Sequence, residues 1–106
     1  GYRPLSYVGA YSATKAALIQ VTKSQSIELA RYNICVNALA PGYILTDINR
    51  DQLEGQTGDL LKKKIPLKRF ATVDELDTII SMLLNTSNTY MTGAVVAVDG
   101  GLSTGL

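Results

Sequence analysis

The sequence contains no histidine, and this absence excludes several classes of catalytic site. Without an imidazole the chain cannot build a Ser-His-Asp triad, a Cys-His pair or most zinc sites. Tyrosine, lysine and the carboxylates are the acids and bases that remain. We therefore expect proton transfer, where it occurs, to be carried by these side chains, and we predict no metal site.

Cysteine, charge of one sign and long apolar runs are also scarce. Cys35 is the single cysteine, which excludes an intramolecular disulfide, and its neighbours Ile34 and Val36 predict that it is a small buried residue. The net charge is +1, and the one basic cluster, Lys62–Lys64, is predicted to be a solvated helix end rather than a nucleic-acid surface. No apolar run approaches the ~20 residues of a membrane span, and the first residues do not have the pattern of a signal peptide. We expect a soluble, cytoplasmic protein that binds neither nucleic acid nor membranes.

The first part of the chain is predicted to be a loop, a long helix and a strand. Gly1–Val8 has turn residues, whereas the stretch from about Gly9 to Arg31 has no proline and keeps an apolar stripe typical of a helix. Asn33 tolerates a left-handed backbone and is predicted to end this helix. Ile34–Leu39 is then predicted to be a buried parallel strand, which Ala40–Gly42 breaks.

The next part is predicted to be a short helical excursion. Thr46 and Asp47 can cap a helix, and Gly55 and Gly58 are predicted to interrupt it. Ile44–Lys64 would then cover the carboxyl end of the preceding strand. A mobile lid over a substrate is one interpretation, and an ordinary surface connection is an equal alternative.

The last part is predicted to be a helix and a strand. Thr72 and Glu75 have the spacing of a capping box, which predicts a helix that ends between Asn85 and Asn88. Gly93–Val98 is a continuous apolar strand that Asp99–Gly101 closes. Helices that alternate with strands predict an α/β fold with a parallel sheet. Because a two-stranded parallel sheet is marginal alone, we predict that residues 1–106 are the C-terminal half of a doubly wound, Rossmann-like parallel sheet.

Tyr11 and Lys15 are the candidate catalytic pair. Residues four positions apart on a helix leave the same face, so the phenol and the ammonium can share a site. A nearby ammonium lowers the pKa of a phenol because it stabilises the phenolate, and this makes the phenol a usable acid or base. The spacing alone also fits a helix with an edge tyrosine and a solvated lysine. A third alternative is that Lys15 forms a Schiff base, with Tyr11 as its helper.

The motifs of this chain together resemble those of the short-chain dehydrogenase/reductases, in the same order and spacing over nearly the whole length. They are Tyr11-Ser12-Ala13-Thr14-Lys15, then Val36-Asn37-Ala38-Leu39-Ala40-Pro41-Gly42, then Ile44 with Thr46-Asp47, and finally Thr92-Gly93 with Val98-Asp99-Gly100-Gly101. The resemblance is to the C-terminal part of such an enzyme. It implies hydride transfer between NAD or NADP and a small carbonyl or alcohol substrate, within one cofactor-binding domain that usually forms homo-oligomers.

The resemblance also implies roles for individual residues. Tyr11 would exchange a proton with the substrate oxygen and would also contact the cofactor. Lys15 would lower the pKa of Tyr11 and bind the nicotinamide ribose. The turn at Pro41-Gly42 would lie beneath the nicotinamide, and the Ile44 main chain would recognise its carboxamide. The Thr46 hydroxyl would bind the carboxamide or the phosphates. Without the resemblance, Pro41-Gly42 would be a plain turn and Thr46 a plain helix cap.

Other parts of the family pattern have no counterpart in this sequence. None of the nine glycines forms the glycine-rich loop that holds the pyrophosphate between a first strand and its helix. The family's catalytic serine, thirteen residues before the tyrosine, would fall ahead of Gly1, and Ser6 is too close to Tyr11 to replace it. Asn37 lies in a predicted strand and does not match the family's catalytic asparagine. The alternative function is therefore a catalytically incomplete piece that acts only in oligomerisation or binding.

Overall fold

The computed structural model describes the backbone of residues 5–105 and the side chains of residues 13–104. The chain divides into two compact units, Gly1–Leu39 with Thr86–Val96 (unit 1) and Ala40–Asn85 with Ala97–Leu106 (unit 2). The elements in chain order are α1 (Leu5–Leu29), a 3-10 helix (Ala30–Tyr32), β1 (Ala38–Pro41), β2 (Ile44–Leu45), α2 (Arg50–Leu53), α3 (Gln56–Lys64), β3 (Ala71–Thr72), α4 (Val73–Leu84), β4 (Val95–Val98) and a 3-10 helix (Leu102–Gly105).

Helix α1 of unit 1 is longer than the sequence predicts. It begins at Leu5, so the part of the predicted loop from Leu5 to Val8 is wrong. Helix α1 ends at Leu29, and a 3-10 helix continues it to Tyr32. Asn33 ends this helical stretch as predicted, since its backbone is left-handed (φ 59°, ψ 33°) and its N–H donates to the Ala30 carbonyl at 2.9 Å. The helix buries Ser26 against Gly93, where an added Cβ would lie 2.9 Å from the Ser26 Oγ. At Gly93 only a residue without a side chain fits, and φ there is +77°.

The strand predicted at Ile34–Leu39 is wrong over its first four residues, since β1 begins at Ala38. Before that point one backbone bond, from the Gly93 N–H to the Val36 carbonyl at 2.7 Å, is accompanied by side-chain bonds. The Val36 N–H donates to the Thr92 Oγ1 at 3.0 Å. The Asn37 side chain donates to the Met91 carbonyl at 2.9 Å and accepts from the Ala94 N–H at 3.0 Å. An asparagine that bonds to the backbone in this way competes with regular strand pairing.

Cys35 is exposed, so the prediction of a buried small residue is wrong. It lies in the irregular segment ahead of β1, where its Sγ is 3.8 Å from the Thr89 carbonyl oxygen. Without a regular strand the chain does not alternate between a buried and a solvent-facing side, and the apolar neighbours of Cys35 therefore do not imply its burial.

The strands pair in two short parallel sheets. The Ala38 N–H donates to the Ala94 carbonyl at 2.9 Å, and the Gly42 N–H donates to the Val98 carbonyl at 3.0 Å. Since the donors and acceptors advance together, β1 and β4 are parallel. Strands β2 and β3 form a second parallel pair, with Ile44 opposite Ala71, which the sequence does not predict. Two-residue strands are too short to show a periodic pattern.

The helical excursion of unit 2 is confirmed, but its internal boundaries differ from the prediction. Gly55, with φ +97°, separates α2 from α3 as predicted. Gly58 lies inside α3, so the predicted interruption there is wrong. Asn49, not Thr46 or Asp47, is the N-cap residue of α2. The last turn of α3 holds Lys62–Lys64, which confirms the predicted helix end.

Helix α4 of unit 2 agrees with the prediction from the sequence. The Thr72 side chain accepts from the Glu75 N–H, and the Glu75 carboxylate accepts from the Thr72 N–H, which confirms the capping box.

The core of unit 2 consists of Ile65, Phe70 and Leu102, with Tyr43, Leu45, Leu53 and Leu61 packed against it. Parallel strands flanked by helices confirm the predicted α/β class. Over the stretch of chain that the structure describes, no helix has the length and apolar character needed to cross a membrane.

Candidate active site

The candidate catalytic pair lies on helix α1 of unit 1. Tyr11 and Lys15 both belong to this helix, as the sequence predicts. The side chain of Tyr11 lies outside the described residues, and that of Lys15 is half-buried. The shared face of the phenol and the ammonium therefore stays a prediction from helix geometry.

The other candidate cofactor-binding residues lie in unit 2, at the end of β1, in β2 and in the loop that follows β2. Pro41 ends β1, and Gly42 packs directly against the turn after β4. An added Cβ at Gly42 would lie 2.8 Å from both the Cα and the Cβ of Asp99, so a side chain does not fit there. The Asp99 carboxylate in turn accepts from the N–H groups of Gly101 (3.0 Å) and Ser103 (3.2 Å). A buried and hydrogen-bonded Asp99 thus forms a fixed surface behind the turn.

Ile44 presents its main chain away from the β2–β3 pair. The Ala71 N–H donates to the carbonyl of Tyr43 at 3.0 Å, which directs that carbonyl towards β3. Because successive carbonyls of a strand point to opposite edges, the Ile44 carbonyl lies on the other edge. There it accepts from the side-chain amide of Asn49 at 2.8 Å. This edge carries the polar main-chain atoms that the resemblance assigns to carboxamide recognition.

Thr46 is held by the same asparagine and does not cap a helix. Its N–H donates to the Asn49 Oδ1 at 2.7 Å, and its Oγ1 accepts from the Asn49 N–H at 3.3 Å. The interpretation of Thr46 as a plain N-cap is therefore wrong, because α2 begins only at Arg50. The sequence analysis did not single out Asn49. The signal that could have found it is a threonine followed three residues later by an asparagine, a pattern in which each side chain can bond to the main chain of the other residue.

An open groove adjoins Thr46 in unit 2. It is lined by Leu45, Thr46 and Ile48 from the loop and by Thr72 and Val73 from the start of α4. Ile48 is almost fully exposed, at 95%. The charged residues Asp47, Arg50 and Asp74 also line the groove, which thus combines hydroxyl, apolar and charged side chains.

An ion pair fixes the junction of β3 and α4 beside this groove. The Arg69 guanidinium donates to both carboxylate oxygens of Glu75, each at 2.7 Å. The Thr72 N–H donates to the same carboxylate at 3.0 Å. These bonds lower the pKa of Glu75 to about 2, chiefly through the hydrogen bond from Arg69 and then through that from Thr72.

We expect Glu75→Gln to destabilise the protein at neutral pH, by an amount that shrinks on acidification. Glutamine keeps the capping bond but loses the charge that pairs with Arg69. Since the pKa of Glu75 is lower in the folded state, the ionic contribution is present above the unfolded value of 4.5 and is lost as the pH falls towards about 2. Urea midpoints of both proteins at pH 7, 4 and 2.5 measure this gap. A gap that is constant over that range would contradict the assignment.

Comparison with known proteins finds matches over nearly the whole chain. The family described as Enoyl-(Acyl carrier protein) reductase matches residues 2–103. The 3-oxoacyl-[acyl-carrier-protein] reductase of Aquifex aeolicus is 42% identical over 92 residues, which cover 87% of this chain and 37% of that protein.

Solved structures match the fold as well as the sequence. An NADPH-dependent reductase involved in bacilysin biosynthesis superposes with a TM-score of 0.74 at 34% identity, over 86% of this chain and 38% of the other. A double mutant of a Serratia marcescens short-chain dehydrogenase/reductase superposes with a TM-score of 0.79 at 32% identity, over 90% of this chain and 38% of the other. The chain therefore spans less than half the length of these relatives.

Proposed function

We propose that this chain, which belongs to the short-chain dehydrogenase/reductase family of oxidoreductases, supplies the proton-transfer residues and the nicotinamide end of the cofactor site in an NAD(P)-dependent enzyme. The observation that carries the proposal is the register of the motifs from Tyr11 to Gly101, which matches the family pattern in order and spacing. Its reaction class is the interconversion of a carbonyl and an alcohol. The relatives that support this class include a 3-oxoacyl-[acyl-carrier-protein] reductase.

In this proposal Tyr11 carries the proton. During reduction its hydroxyl donates a proton to the substrate oxygen, and during oxidation the phenolate removes that proton. The Lys15 ammonium stabilises the phenolate and donates to the ribose hydroxyls of the cofactor. The bound nicotinamide supplies or accepts the hydride at the substrate carbon.

The loop of unit 2 would hold the carboxamide of the nicotinamide. Because Gly42 has no side chain, the main chain can turn close to Asp99. The Ile44 carbonyl lies on the edge of β2 that does not pair with β3. The Thr46 Oγ1 accepts from the Asn49 N–H, and its own proton stays available for donation to another group. A carboxamide both donates and accepts, so a carbonyl and a hydroxyl donor are complementary to it. These residues therefore fit the group.

The segment Ile44–Lys64 would act as a lid over a small carbonyl or alcohol substrate. Its first part contributes the groove at Thr46. The glycine bend at Gly55 joins α2 to α3, which pack against each other where Gly58 meets the Leu53 carbonyl. We propose residues 1–106 as the C-terminal part of one cofactor-binding domain, which would form homo-oligomers as is usual in the family. Sugar alcohols, 3-oxoacyl thioesters and steroids are the substrate classes to test.

Cofactor titration separates this proposal from the alternative of a binding or oligomerisation piece. We expect a full-length form, with the N-terminal part that the relatives carry, to bind NADH or NADPH saturably and to reduce carbonyl substrates. The 106-residue chain should bind neither tightly, because its sequence has no glycine-rich pyrophosphate loop. The fluorescence of the reduced nicotinamide measures both the binding of the cofactor and its oxidation during turnover. A full-length form that binds no cofactor would contradict the proposed enzyme, and tight binding by the 106-residue chain would contradict the incomplete piece.

A further inference from the structure

We infer that Asn49 is a positioning residue that holds the nicotinamide carboxamide site in its binding geometry. The inference rests on the proposed function. Asn49 makes three hydrogen bonds to the two residues that would contact the carboxamide, Ile44 and Thr46. No motif of the sequence assigns it a role, and it would act through these residues rather than on the substrate.

The chemistry of the bonded atoms fixes the orientation of the Asn49 side chain. Its Oδ1 lies 2.7 Å from the Thr46 nitrogen, an N–H that can only donate. Its Nδ2 lies 2.8 Å from the Ile44 carbonyl oxygen, which can only accept. Rotating the amide by 180° would oppose donor to donor and acceptor to acceptor, so one orientation alone satisfies both bonds. Asn49 therefore joins the two ends of the Ile44–Thr46 segment as a clamp.

This clamp leaves defined donor and acceptor positions on the segment. The Ile44 carbonyl uses one lone pair for Asn49 and keeps a second for another donor. The Thr46 Oγ1 uses a lone pair for the Asn49 N–H at 3.3 Å, and its proton can be donated to a different partner. The Ile44 carbonyl is thus left with one acceptor position and the Thr46 hydroxyl with one donor position. Together they form a site for a group that both donates and accepts. A primary carboxamide is such a group.

Few other contacts hold this part of the loop. Asp47 and Ile48 are exposed, and α2, which follows, has four residues. The ion pairs of Arg50 with Asp47 (3.8 Å) and with Glu54 (3.3 Å) lie at the surface, where such pairs contribute little. The β2–β3 pairing holds Ile44 and Leu45. Beyond β2, the Asn49 side chain holds Thr46 and ties it back to the Ile44 carbonyl. Without the Asn49 side chain, the loop would become ordered only when the cofactor binds. The cost of this ordering would lower the affinity for NAD(P)H.

Asn49→Ala in the full-length protein tests the inference through two ligands. We expect the dissociation constant of NADH or NADPH to rise about tenfold, as the loss of hydrogen bonds of this kind typically produces. ADP-ribose or its 2′-phosphate, which lacks the nicotinamide, should bind within about twofold of wild type, since only the carboxamide end is disturbed. Isothermal titration calorimetry measures both ligands.

Further variants distinguish positioning from a general structural role. Asn49→Asp keeps an acceptor for the Thr46 N–H but places an oxygen against the Ile44 carbonyl, so it should weaken NAD(P)H binding at least as much as alanine does. It also carries the test if the alanine variant fails to fold. Asn88→Ala, which removes another half-buried asparagine, in the loop before β4, is the matched control and should leave both ligands unaffected.

The outcomes separate this inference from the proposed function. Selective weakening of NAD(P)H supports the positioning role. Equal weakening of NAD(P)H and ADP-ribose, or no change in either, overturns it while the proposed function stands. If the wild-type protein binds NAD(P)H no more tightly than ADP-ribose, the proposed function of the Ile44–Thr46 segment is wrong, and this inference is wrong with it.

Discussion

Replacing Tyr11 by phenylalanine in the full-length protein is expected to lower kcat for carbonyl reduction by at least ~100-fold, the usual range for loss of a general acid. The substitution removes the hydroxyl that would protonate the substrate oxygen and keeps the aromatic ring. Binding of NAD(P)H should change little, because the Lys15 side chain remains to contact the ribose. Steady-state kinetics together with cofactor titration measure the two effects separately.

Tyr90→Phe provides the matched control for this substitution. Tyr90 is fully exposed, at 101%, lies in the loop before β4, and has no role in any of the motifs. Its loss of a hydroxyl should leave kcat unchanged. If Tyr11→Phe kept the wild-type turnover, the catalytic assignment would be wrong, and Lys15 would be the next candidate through the Schiff-base alternative. Borohydride trapping followed by mass measurement would detect that adduct.

Local signals with a single physical cause could be predicted from the sequence. The Thr72–Glu75 capping box needs only a hydroxyl and a carboxylate at a fixed spacing, and both of its bonds form in the structure. Asn33 ends its helix because asparagine tolerates the left-handed backbone there. Such features depend on few neighbours, so the rest of the fold does not override them.

Features that depend on partners distant in the sequence were missed. Ile34–Leu39 has the composition of a strand, yet the Thr92 hydroxyl and the Asn37 amide take the backbone groups that a ladder would use. The pairing of β2 with β3 joins Ile44 to Ala71, and no local pattern announces it. Whether a residue pairs in a sheet is decided by what lies opposite, which a single strand does not encode.

The candidate site also has features with a local sequence signal and features that depend on distant partners. Pro41, Gly42, Ile44 and Thr46 were found through motif spacing, and the structure places them in succession at the end of β1, in β2 and in the loop that follows β2. The tight fit of Gly42 against Asp99 and the clamp by Asn49 could not be read from spacing, since both depend on how the loop closes. The juxtaposition of this loop with Tyr11 and Lys15 stays a prediction of the motif register.

Gly58→Ala is expected to destabilise the protein by about 2–3 kcal/mol, at the upper end of typical overpacking effects. Gly58 is buried in the first turn of α3, and an added Cβ would overlap the carbonyl oxygen of Leu53 at the end of α2. The two helices would have to separate, which disturbs Leu53 where it packs on the core of unit 2. Urea unfolding followed by circular dichroism measures the change.

The sign of this effect discriminates between packing and helix propensity. Alanine is favoured over glycine in a helix by about 1 kcal/mol, so propensity alone predicts that Gly58→Ala stabilises. Thr57→Ala, at the exposed neighbouring position of α3, experiences the propensity term without the clash and should be neutral or slightly stabilising. A stabilising Gly58→Ala would mean that α2 and α3 do not pack closely at this point. A destabilising one would show that α2 and α3 are packed closely, because the same contact that excludes a methyl group also couples α2 to α3.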